Sequence, residues 1–303
     1  SGSQTVTVDI TAPVAPVVTG TTPTNDATPT WSWTSGGGGN GTCRYQVDSE
    51  AGSWTETTGT TYTPVSPLSD GDHTLYVQER DDAGNWSASG SRLIVVDTTA
   101  PEVLYVDSDT PNASYAQGAA IDLKVKFTEP VTITGSPVIA LATNPARQAV
   151  FNSGSGTDTL VFIYSVVADD ICPDLDYESI NALDLVDGGI TDTAGNNAVT
   201  TLPEPGGPDS LGGRKDIVID ACVDVYDVVI LPADPSICSG SQELTVSASG
   251  SQPYSYQWNR DGVSIDGANA SSYSATIAGS YTCVVSNNCP SSLESNPSIL
   301  TVG

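Results

Sequence analysis

Hydrophobic residues in this chain alternate with polar ones in short runs, and clusters of Gly, Pro, Asp and Ser separate the runs. Residues 29–34 (PTWSWT), 43–47 (CRYQV) and 73–78 (HTLYVQ) show the alternation, which is typical of strands with one buried face. No window holds a sustained helical period, and Lys and Glu, which favour helices, are scarce. The pattern therefore predicts an all-β protein whose strands have the spacing of a β-sandwich.

A strand that ends in an aspartate recurs along the chain. Residues 89–101 (SGSRLIVVDTTAP) are identical to residues 1–13 (SGSQTVTVDITAP) at eight of thirteen positions, and a looser copy (DIVIDA) lies at 216–221. Such a repeat predicts tandem domains that each end in the same way. We expect three tandem β-sandwiches, which occupy residues 12–97, 98–221 and 222–303.

Residues 1–11 read as a strand without a partner in any of these three domains. One interpretation is that the strand is the last one of a preceding repeat. The other is that residues 1–9 act as a donor strand that adds to the sheet edge of a neighbouring molecule. The sequence contains no methionine, and we expect it to be a segment of a longer protein.

The charge balance narrows the classes of partner. The chain has 36 acidic and nine basic residues, for a net charge of −27. Nucleic-acid binding needs clustered Lys and Arg, so it is not expected. Two explanations for the acidity compete: specific acidic clusters that bind divalent cations, or a solvated acidic surface. Most of the aspartates fit turns, where Asp is common.

Compartment is indicated by hydropathy and by cysteine content. No apolar run approaches the roughly 20 residues that a membrane helix needs, so membrane insertion is not expected. Six cysteines in a Thr-rich, Lys-poor chain favour an exported protein. We therefore expect an extracellular or cell-surface location.

The first predicted domain carries a set of motifs that resembles a known family. The segments WSWTS, RYQVD, SWTETT, LSDGDHTLYVQERDDAGNWS and VVDTTAP are similar to the bacterial immunoglobulin-like repeats, close to fibronectin type III, of large secreted surface proteins and adhesins. The resemblance covers the whole domain. It implies that Trp31, Tyr45, Leu75 and Val77 are core positions, and it places Cys43 where the family has an aromatic or aliphatic residue.

The other two domains also resemble sandwich modules. Residues 98–221 are similar to a larger bacterial immunoglobulin-like module, with a hairpin that turns at residues 153–157. Residues 222–303 carry an immunoglobulin signature: Trp258 fits the buried strand-C tryptophan, and Tyr281, two residues before Cys283, fits the tyrosine corner.

The third domain lacks one half-cystine of that signature, because Val246 stands where strand B would carry its cysteine. Cys283 then either faces this valine across the core or pairs with Cys238 or Cys289, and the sequence does not choose. At the preceding junction, Cys172 and Cys222 are both expected at the exit pole of the second domain. A Cys172–Cys222 disulfide is the expected covalent link there.

Two domains contain a D-x-A-G-N motif, which falls between strands F and G at the pole where the chain enters a sandwich. The preceding domain's E–F loop and the linker aspartate should meet this motif. We therefore expect a metal site at the first junction, with Asp107 and Asp109 as further candidates and these residues as its centre: Asp97, Asp70, Asp72, Asp192 and Asn196. A set of hard oxygen donors without His or Cys suits calcium.

The equivalent site at the entry of the first domain would use Asp9, Asp81 and Asp82. Calcium at linkers is also what the resemblance to adhesin repeats implies. The alternative is that the Asp and Asn of D-x-A-G-N form Asx turns that only shape the loop. No complete EF-hand loop is present to decide between the two.

Catalytic patterns are poorly represented. His73 is the only histidine, which removes most triad chemistry and any multi-histidine zinc site, and it reads as a solvent-facing strand residue. Trp54, Trp86 and Tyr115 would form a sugar-binding face if exposed, although packing within hairpins explains them as well. No enzymatic activity is expected.

Together these features predict a non-catalytic structural or adhesive segment: tandem domains that form a stalk or filament of a bacterial surface protein, with calcium-stiffened junctions. Its expected partners are neighbouring repeats of the same chain, other copies by strand addition, and a cell-surface glycan or protein. One alternative makes the third domain a glycan- or protein-binding module. Another makes all three accessory domains of a secreted hydrolase.

Overall fold

The structure, a computed structural model, describes residues 7–287, 289 and 291–303. Its strands group into sheets that stay within residues 17–96, 103–220 and 226–302. Each group encloses its own hydrophobic core. The predicted strand at residues 1–9 falls mostly on residues 1–6, which lie outside the described residues, and residues 7–9 are not in a strand.

The first domain has seven strands: β1 (Val17–Thr19), β2 (Trp31–Thr34), β3 (Thr42–Val47), β4 (Thr55–Thr57), β5 (Thr61–Tyr62), β6 (Gly71–Arg80) and β7 (Gly90–Val96). They form a three-stranded sheet, in the order β1-β2-β5, and a four-stranded sheet, β4-β3-β6-β7. The predicted core positions Trp31, Leu75 and Val77 are fully buried, and Tyr45 packs against them while partly buried.

The second domain is larger. Its elements are β8 (Val103–Asp107), β9 (Ala113–Tyr115), β10 (Ala120–Thr134), β11 (Val138–Leu141), β12 (Arg147–Ser153), β13 (Thr157–Ser165), β14 (Ile171–Cys172), β15 (Leu183–Asp184), β16 (Gly189–Thr191), α1 (Leu211–Arg214) and β17 (Ile217–Asp220). One sheet has the order β15-β11-β12-β13-β10-β16, with β8 also paired to β10, and the other has the order β14-β17-β9. The turn between β12 and β13 is the one predicted at residues 153–157.

A buried ionic network fixes the loop that precedes β14. Asp170 is fully buried. Its carboxylate accepts a hydrogen bond from the Arg147 Nε atom at 2.6 Å, another from the Tyr164 hydroxyl at 2.6 Å, and a third from the Val167 N–H at 2.9 Å. Burial, followed by this contact with Asp170, raises the pKa of Tyr164, so the tyrosine stays a neutral donor.

The strands of the third domain are β18 (Tyr226–Leu231), β19 (Ser236–Ile237), β20 (Gln242–Ser249), β21 (Ser255–Arg260), β22 (Val263–Ser264), β23 (Ser272–Ala275), β24 (Gly279–Ser286), β25 (Ser292–Glu294) and β26 (Ser298–Val302). The sheet β18-β20-β23 packs against the sheet β19-β26-β24-β21-β22, with β25 paired to β24. Trp258 is fully buried, and the Tyr281 hydroxyl donates to the carbonyl of Ile277 at 2.7 Å, so both predicted signatures are present.

The expected Cys172–Cys222 disulfide was wrong. Cys222 is bonded to Cys289, with 5.8 Å between their Cα atoms, a normal disulfide span. Cys172 is a buried free thiol on β14, where it lies opposite Ile219 of β17 and donates to the carbonyl of Asp174 at 3.1 Å. The chain reaches Cys222 only after β17 has ended, so the two cysteines face different surroundings.

Cys283, for which the sequence left open a pairing with Cys238 or Cys289, forms no disulfide. Cys283 is a buried free thiol in the core of the third domain, and burial raises its pKa to about 11. Cys238, its other possible partner, is free and exposed. The covalent link therefore joins the entry of the third domain, at Cys222, to the loop between β24 and β25.

Candidate metal centre at the first domain junction

Asp97 follows directly after β7 and begins the linker between the first two domains. Its backbone N–H donates to the carbonyl of Thr24 at 3.0 Å, and its carboxylate accepts from the Thr99 N–H at 3.1 Å. The first contact ties the linker to the first domain. The second forms an Asx turn that shapes the next residues.

The second domain presents its D-x-A-G-N loop to this linker. Asp192 accepts hydrogen bonds from the backbone N–H groups of Gly195 at 2.6 Å and Asn196 at 2.8 Å. The Asn196 side-chain amide then donates both to the Asp192 carboxylate at 2.7 Å and to the Asp97 carbonyl at 2.8 Å. Gly195 has a φ of +99°, which the tight turn requires. The motif thus shapes its own loop and also holds the linker.

A turn of the first domain contacts the same loop from the other side. The backbone N–H of Asn25 donates to the carbonyl of Ala194 at 3.1 Å, and its side-chain amide donates to the carbonyl of Gly195 at 2.9 Å. These bonds join the two domains directly. Asn25 carried no sequence signal, because its role depends on how two domains meet.

Three carboxylates converge at this junction. Asp97, Glu129 and Asp192 each place one carboxylate oxygen within 4.8 Å of the other two, and Asp192 is buried while the others are partly buried. Burial, followed by the negative charges of Asp97 and Asp192, raises the pKa of Glu129. None of the three takes part in an ion pair with a described Lys, Arg or His. The group therefore concentrates negative charge that the described residues do not neutralise.

The donor set fits a hard divalent cation. All side-chain ligands offered are carboxylate oxygens, and the group contains neither the thiolate nor the imidazole that favours zinc or copper. Since Asp192 Oδ1 already accepts two backbone N–H hydrogen bonds, the three carboxylates offer at most five further oxygens. Calcium accepts six to eight oxygen ligands in irregular geometry, and water or main-chain carbonyls commonly complete its shell. The residues present thus suit calcium, with Asp97 contributed by the linker and the other two carboxylates by the second domain.

Glu129 was not among the predicted residues. It lies on β10 between Lys126 and Val131, where the pairing of β10 with β13 shifts register. This irregular stretch carries the glutamate to the pole of the sandwich. The available signal was an acidic residue followed by Pro130 inside an otherwise alternating strand pattern.

The structure gives Asp70 a different role from the one predicted. Its carboxylate accepts from the Thr98 N–H at 3.0 Å, the Thr98 hydroxyl at 2.8 Å and the Thr99 hydroxyl at 2.9 Å. The side-chain hydrogen bonds from Thr98 and Thr99, with the backbone N–H of Thr98, lower the pKa of Asp70. Asp70 thus clamps the linker that carries Asp97 and is not a member of the three-carboxylate group.

The remaining candidates at this junction are not part of the three-carboxylate group. Asp72 is exposed and is not in the three-carboxylate group. Asp107 forms an ion pair with Arg214 at 3.2 Å, and Asp109 forms one with Lys124. These ion pairs leave Asp107 and Asp109 out of the junction site.

The entry of the first domain repeats part of the geometry. The Asn85 side-chain amide donates to the Asp81 carboxylate at 2.9 Å and to the Asp9 carbonyl at 3.1 Å, as Asn196 does to Asp192 and Asp97. Hydrogen bonds from the Asn85 side chain, opposed by burial and helped by backbone N–H groups, lower the pKa of Asp81. Within the described chain no third acidic side chain joins them, and Asp82 is exposed.

The junction between the second and third domains also uses an asparagine, but without the carboxylates. The Asn287 amide donates to the carbonyls of Val223 at 2.9 Å and Ser251 at 3.0 Å. The Cys222–Cys289 disulfide closes the same pole covalently. The sequence predicted a disulfide instead of a metal at this junction. The disulfide is present, but Cys222 pairs with Cys289 and not with Cys172.

His73 is less exposed than predicted, with its side chain at 12% of full exposure. Its Nδ1 atom lies 2.8 Å from the Asp48 carboxylate, and its Nε2 atom lies 2.9 Å from the Ser69 carbonyl. The hydrogen bond with Asp48 is the main cause of a raised pKa for His73. Both ring nitrogens are engaged structurally, and neither contacts a nucleophile.

Comparison with known proteins bears on the first domain most directly. Residues 5–98 match the family described as bacterial Ig-like domain. No curated protein matches the chain. Among the described residues, no helix has the length and apolarity needed to cross a membrane.

Solved structures of tandem Ig domains match the chain at low sequence identity. An I-band fragment of titin is 14% identical, with a TM-score of 0.41 over 97% of this chain and 99% of the titin chain. The N-terminal four Ig domains of Dscam1 isoform 4.44 are 13% identical, with a TM-score of 0.36 over 96% of this chain and 73% of theirs. The family match at residues 5–98 covers the first of the three β-sandwiches in the chain.

Proposed function

We propose that this chain is a non-catalytic structural segment of an extracellular bacterial surface protein, a stalk or filament in which calcium stiffens the first domain junction. The observation that carries the proposal is the convergence of Asp97, Glu129 and Asp192, since the linker supplies one carboxylate and the second domain the other two. A cation held by all three bridges the linker and the second domain.

Stiffening follows from linkage. A ligand that binds only the aligned arrangement stabilises it by RT ln(1 + [L]/Kd), about 2.7 kcal/mol at a hundredfold excess over Kd. Extracellular calcium modules work with Kd values of roughly 0.1–1 mM. The hydrogen bonds from Asn25 and Asn196 already specify the aligned geometry. Bound calcium attracts all three carboxylates, which repel one another in its absence.

The alternative that makes the third domain a recognition module has less support. Its signature tryptophan, Trp258, is fully buried and donates its indole N–H to the carbonyl of Ala270 at 2.9 Å. That residue belongs to the core and offers no surface for a glycan or protein. A structural role therefore accounts for the third domain best.

The replacement Glu129→Gln tests the proposal, because its effect should change sign with calcium. In a chelator, the change removes one of three mutually repelling charges, so the variant should unfold at a higher temperature than the native chain. In calcium, the change removes a ligand, so the native chain should gain several degrees and the variant should gain much less. Thermal unfolding in both buffers measures the four values.

The pH dependence follows from the raised pKa of Glu129, whose ordinary value is 4.5. Without calcium, the folded state binds more protons than the unfolded state between pH 4.5 and the raised pKa of Glu129, so stability should fall as pH rises through that range. With calcium, protons compete for the Glu129 carboxylate, so calcium affinity should fall as pH decreases toward the same range. Exposed Glu178 supplies the control, because Glu178→Gln should change neither behaviour.

If the native chain unfolds at the same temperature in calcium and in chelator, the proposed calcium site is wrong.

A further inference from the structure

The outer face of the sheet β4-β3-β6-β7 carries a stack of tryptophan and arginine side chains. The Arg44 guanidinium carbon lies 4.8 Å from the ring centroid of Trp54 and 4.3 Å from that of Trp86. The Arg80 guanidinium carbon lies 5.4 Å from the same Trp86 ring. Gln78, opposite Arg44 in the sheet, accepts from both Nε and Nη2 of Arg44 and holds its plane. Two arginines and two indoles thus form one continuous surface, here called the Trp–Arg face.

These two arginines differ from the other cations of the chain. Five of the nine basic residues form ion pairs with carboxylates: Lys124, Lys126, Arg147, Arg214 and Arg260. Arg92 and Lys215 donate to main-chain carbonyls. Arg44 and Arg80 have no carboxylate within ion-pair distance among the described residues. The Trp–Arg face therefore presents two guanidinium groups without an ion-pair partner among the described residues, although Glu56 of β4 lies opposite Arg44 in the sheet.

Hydrogen-bonding capacity also remains on this face. A guanidinium has five N–H donors. In the described chain, the Arg44 side chain uses donors only toward Gln78, and the Arg80 side chain makes no hydrogen bond. Stacking on Trp86 holds the arginine planes in place without occupying the donors at their edges. The face is therefore preorganised to accept a ligand that brings acceptor oxygens.

We propose that the Trp–Arg face binds carboxylated sugar residues of an acidic polysaccharide. A guanidinium fork pairs with a carboxylate in a bidentate, planar way, which suits a uronate or a related sugar acid. The parts of the Trp54 and Trp86 rings that the guanidinium groups leave exposed offer apolar area for the C–H face of the sugar. This ligand chemistry lies outside the calcium junction and adds a binding activity to the proposed structural role.

The surroundings favour a small charged ligand over a protein partner. No large hydrophobic side chain of β3, β4 or β6 is strongly exposed, and on β7 only Leu93 is. A stable protein interface needs roughly 800 Å² per partner with apolar anchors at its centre. An acidic glycan needs only the arginine forks and the indole rings.

The test uses the five tryptophans of the whole protein as reporters in ¹H–¹⁵N spectra. Trp31, Trp33 and Trp258 are buried and serve as internal controls, while Trp54 and Trp86 are partly exposed. The probe is trigalacturonate, titrated in EDTA so that calcium cannot bridge two acidic molecules. We expect saturable shifts of the Trp54 and Trp86 indole signals alone. The methyl ester of the same trisaccharide, which lacks the charge, should bind about tenfold more weakly.

Two variants assign the effect to the arginine forks. Arg80→Gln should weaken trigalacturonate binding about tenfold, whereas Arg92→Gln, which removes an arginine already bonded to the Gly20 carbonyl, should leave it unchanged. Unfolding temperatures of both variants establish that they remain folded. The proposal is overturned if trigalacturonate moves no indole signal, if the methyl ester binds equally well, if Arg80→Gln has no effect, or if triglutamate binds as tightly. This assay is independent of the calcium proposal, which it neither requires nor tests.

Discussion

Replacement of Asp170 by alanine is expected to destabilise the second domain by about 3 kcal/mol. Asp170 is fully buried and joins Arg147, Tyr164 and the Val167 N–H. Its removal leaves a buried hydroxyl and a backbone N–H without their acceptor, and a partly buried guanidinium without its partner ion. Urea unfolding, followed by the hydrogen exchange of second-domain amides, measures the loss.

A surface ion pair of the same domain supplies the matched control. Asp109 pairs with Lys124 while its side chain is 77% exposed, so Asp109→Ala should cost less than about 0.5 kcal/mol. Asp170→Asn tests the charge separately, because it keeps the side-chain size and loses the ionic partner of Arg147. If Asp170→Ala and Asp109→Ala cost the same, the network around Asp170 does not hold the loop before β14.

Loss of the Cys222–Cys289 disulfide is expected to destabilise the third domain by about 4 kcal/mol. The bond joins positions 67 residues apart, and closing a loop of this size restricts the unfolded chain by an amount of that order. Cys289→Ser removes the bond, and chemical unfolding of the variant measures the change. The disulfide also closes the pole at which the chain enters the third domain, so proteolysis near Cys222 should become faster.

Cys238→Ser is the control for that experiment, because Cys238 is exposed and free, and its replacement should be neutral. Peptide mapping without reduction reports the pairing directly and should join Cys222 to Cys289. A disulfide-linked peptide pair that contains Cys222 and Cys172 would contradict the structure. There, the Cys172 thiol is buried on β14 and hydrogen-bonded to main-chain carbonyls.

Local patterns were enough to predict the cores. Trp31 and Leu75 occur in alternating strands, where a period of two assigns one face to the interior. The Tyr281 corner is read within a few residues of Cys283, so its hydrogen bond to Ile277 needed no knowledge of the rest of the chain. Such features are fixed by the strand that contains them.

The junction was predictable only in part. Asp97 and Asp192 were both expected there because a repeated motif and a known pole position locate them. Glu129 was missed, because its position depends on a register shift in the pairing of β10 with β13. Asp70 was assigned to the metal, whereas Thr98 and Thr99 compete for its carboxylate. Contacts between distant segments decide these roles.

The cysteine pairing failed for a related reason. Cys172 and Cys222 lie near the same end of the second domain, but the pairing of β14 with β17 places Cys172 opposite Ile219. The sequence carries no information on that register at the level of a single strand. The Trp–Arg face is a similar case, since Arg44 and Trp86 meet only through the pairing of β3 with β6 and the bridge between Arg80 and Trp86.

Small-angle X-ray scattering of the whole chain, in calcium and in a chelator, tests the stiffened junction most directly. We predict that calcium narrows the distribution of molecular dimensions for the native chain and leaves that of Glu129→Gln unchanged, while Glu178→Gln behaves like the native chain. Magnesium, which prefers a smaller octahedral site, should act more weakly. Identical scattering of the native chain in calcium and in chelator would contradict a junction stiffened at Asp97, Glu129 and Asp192.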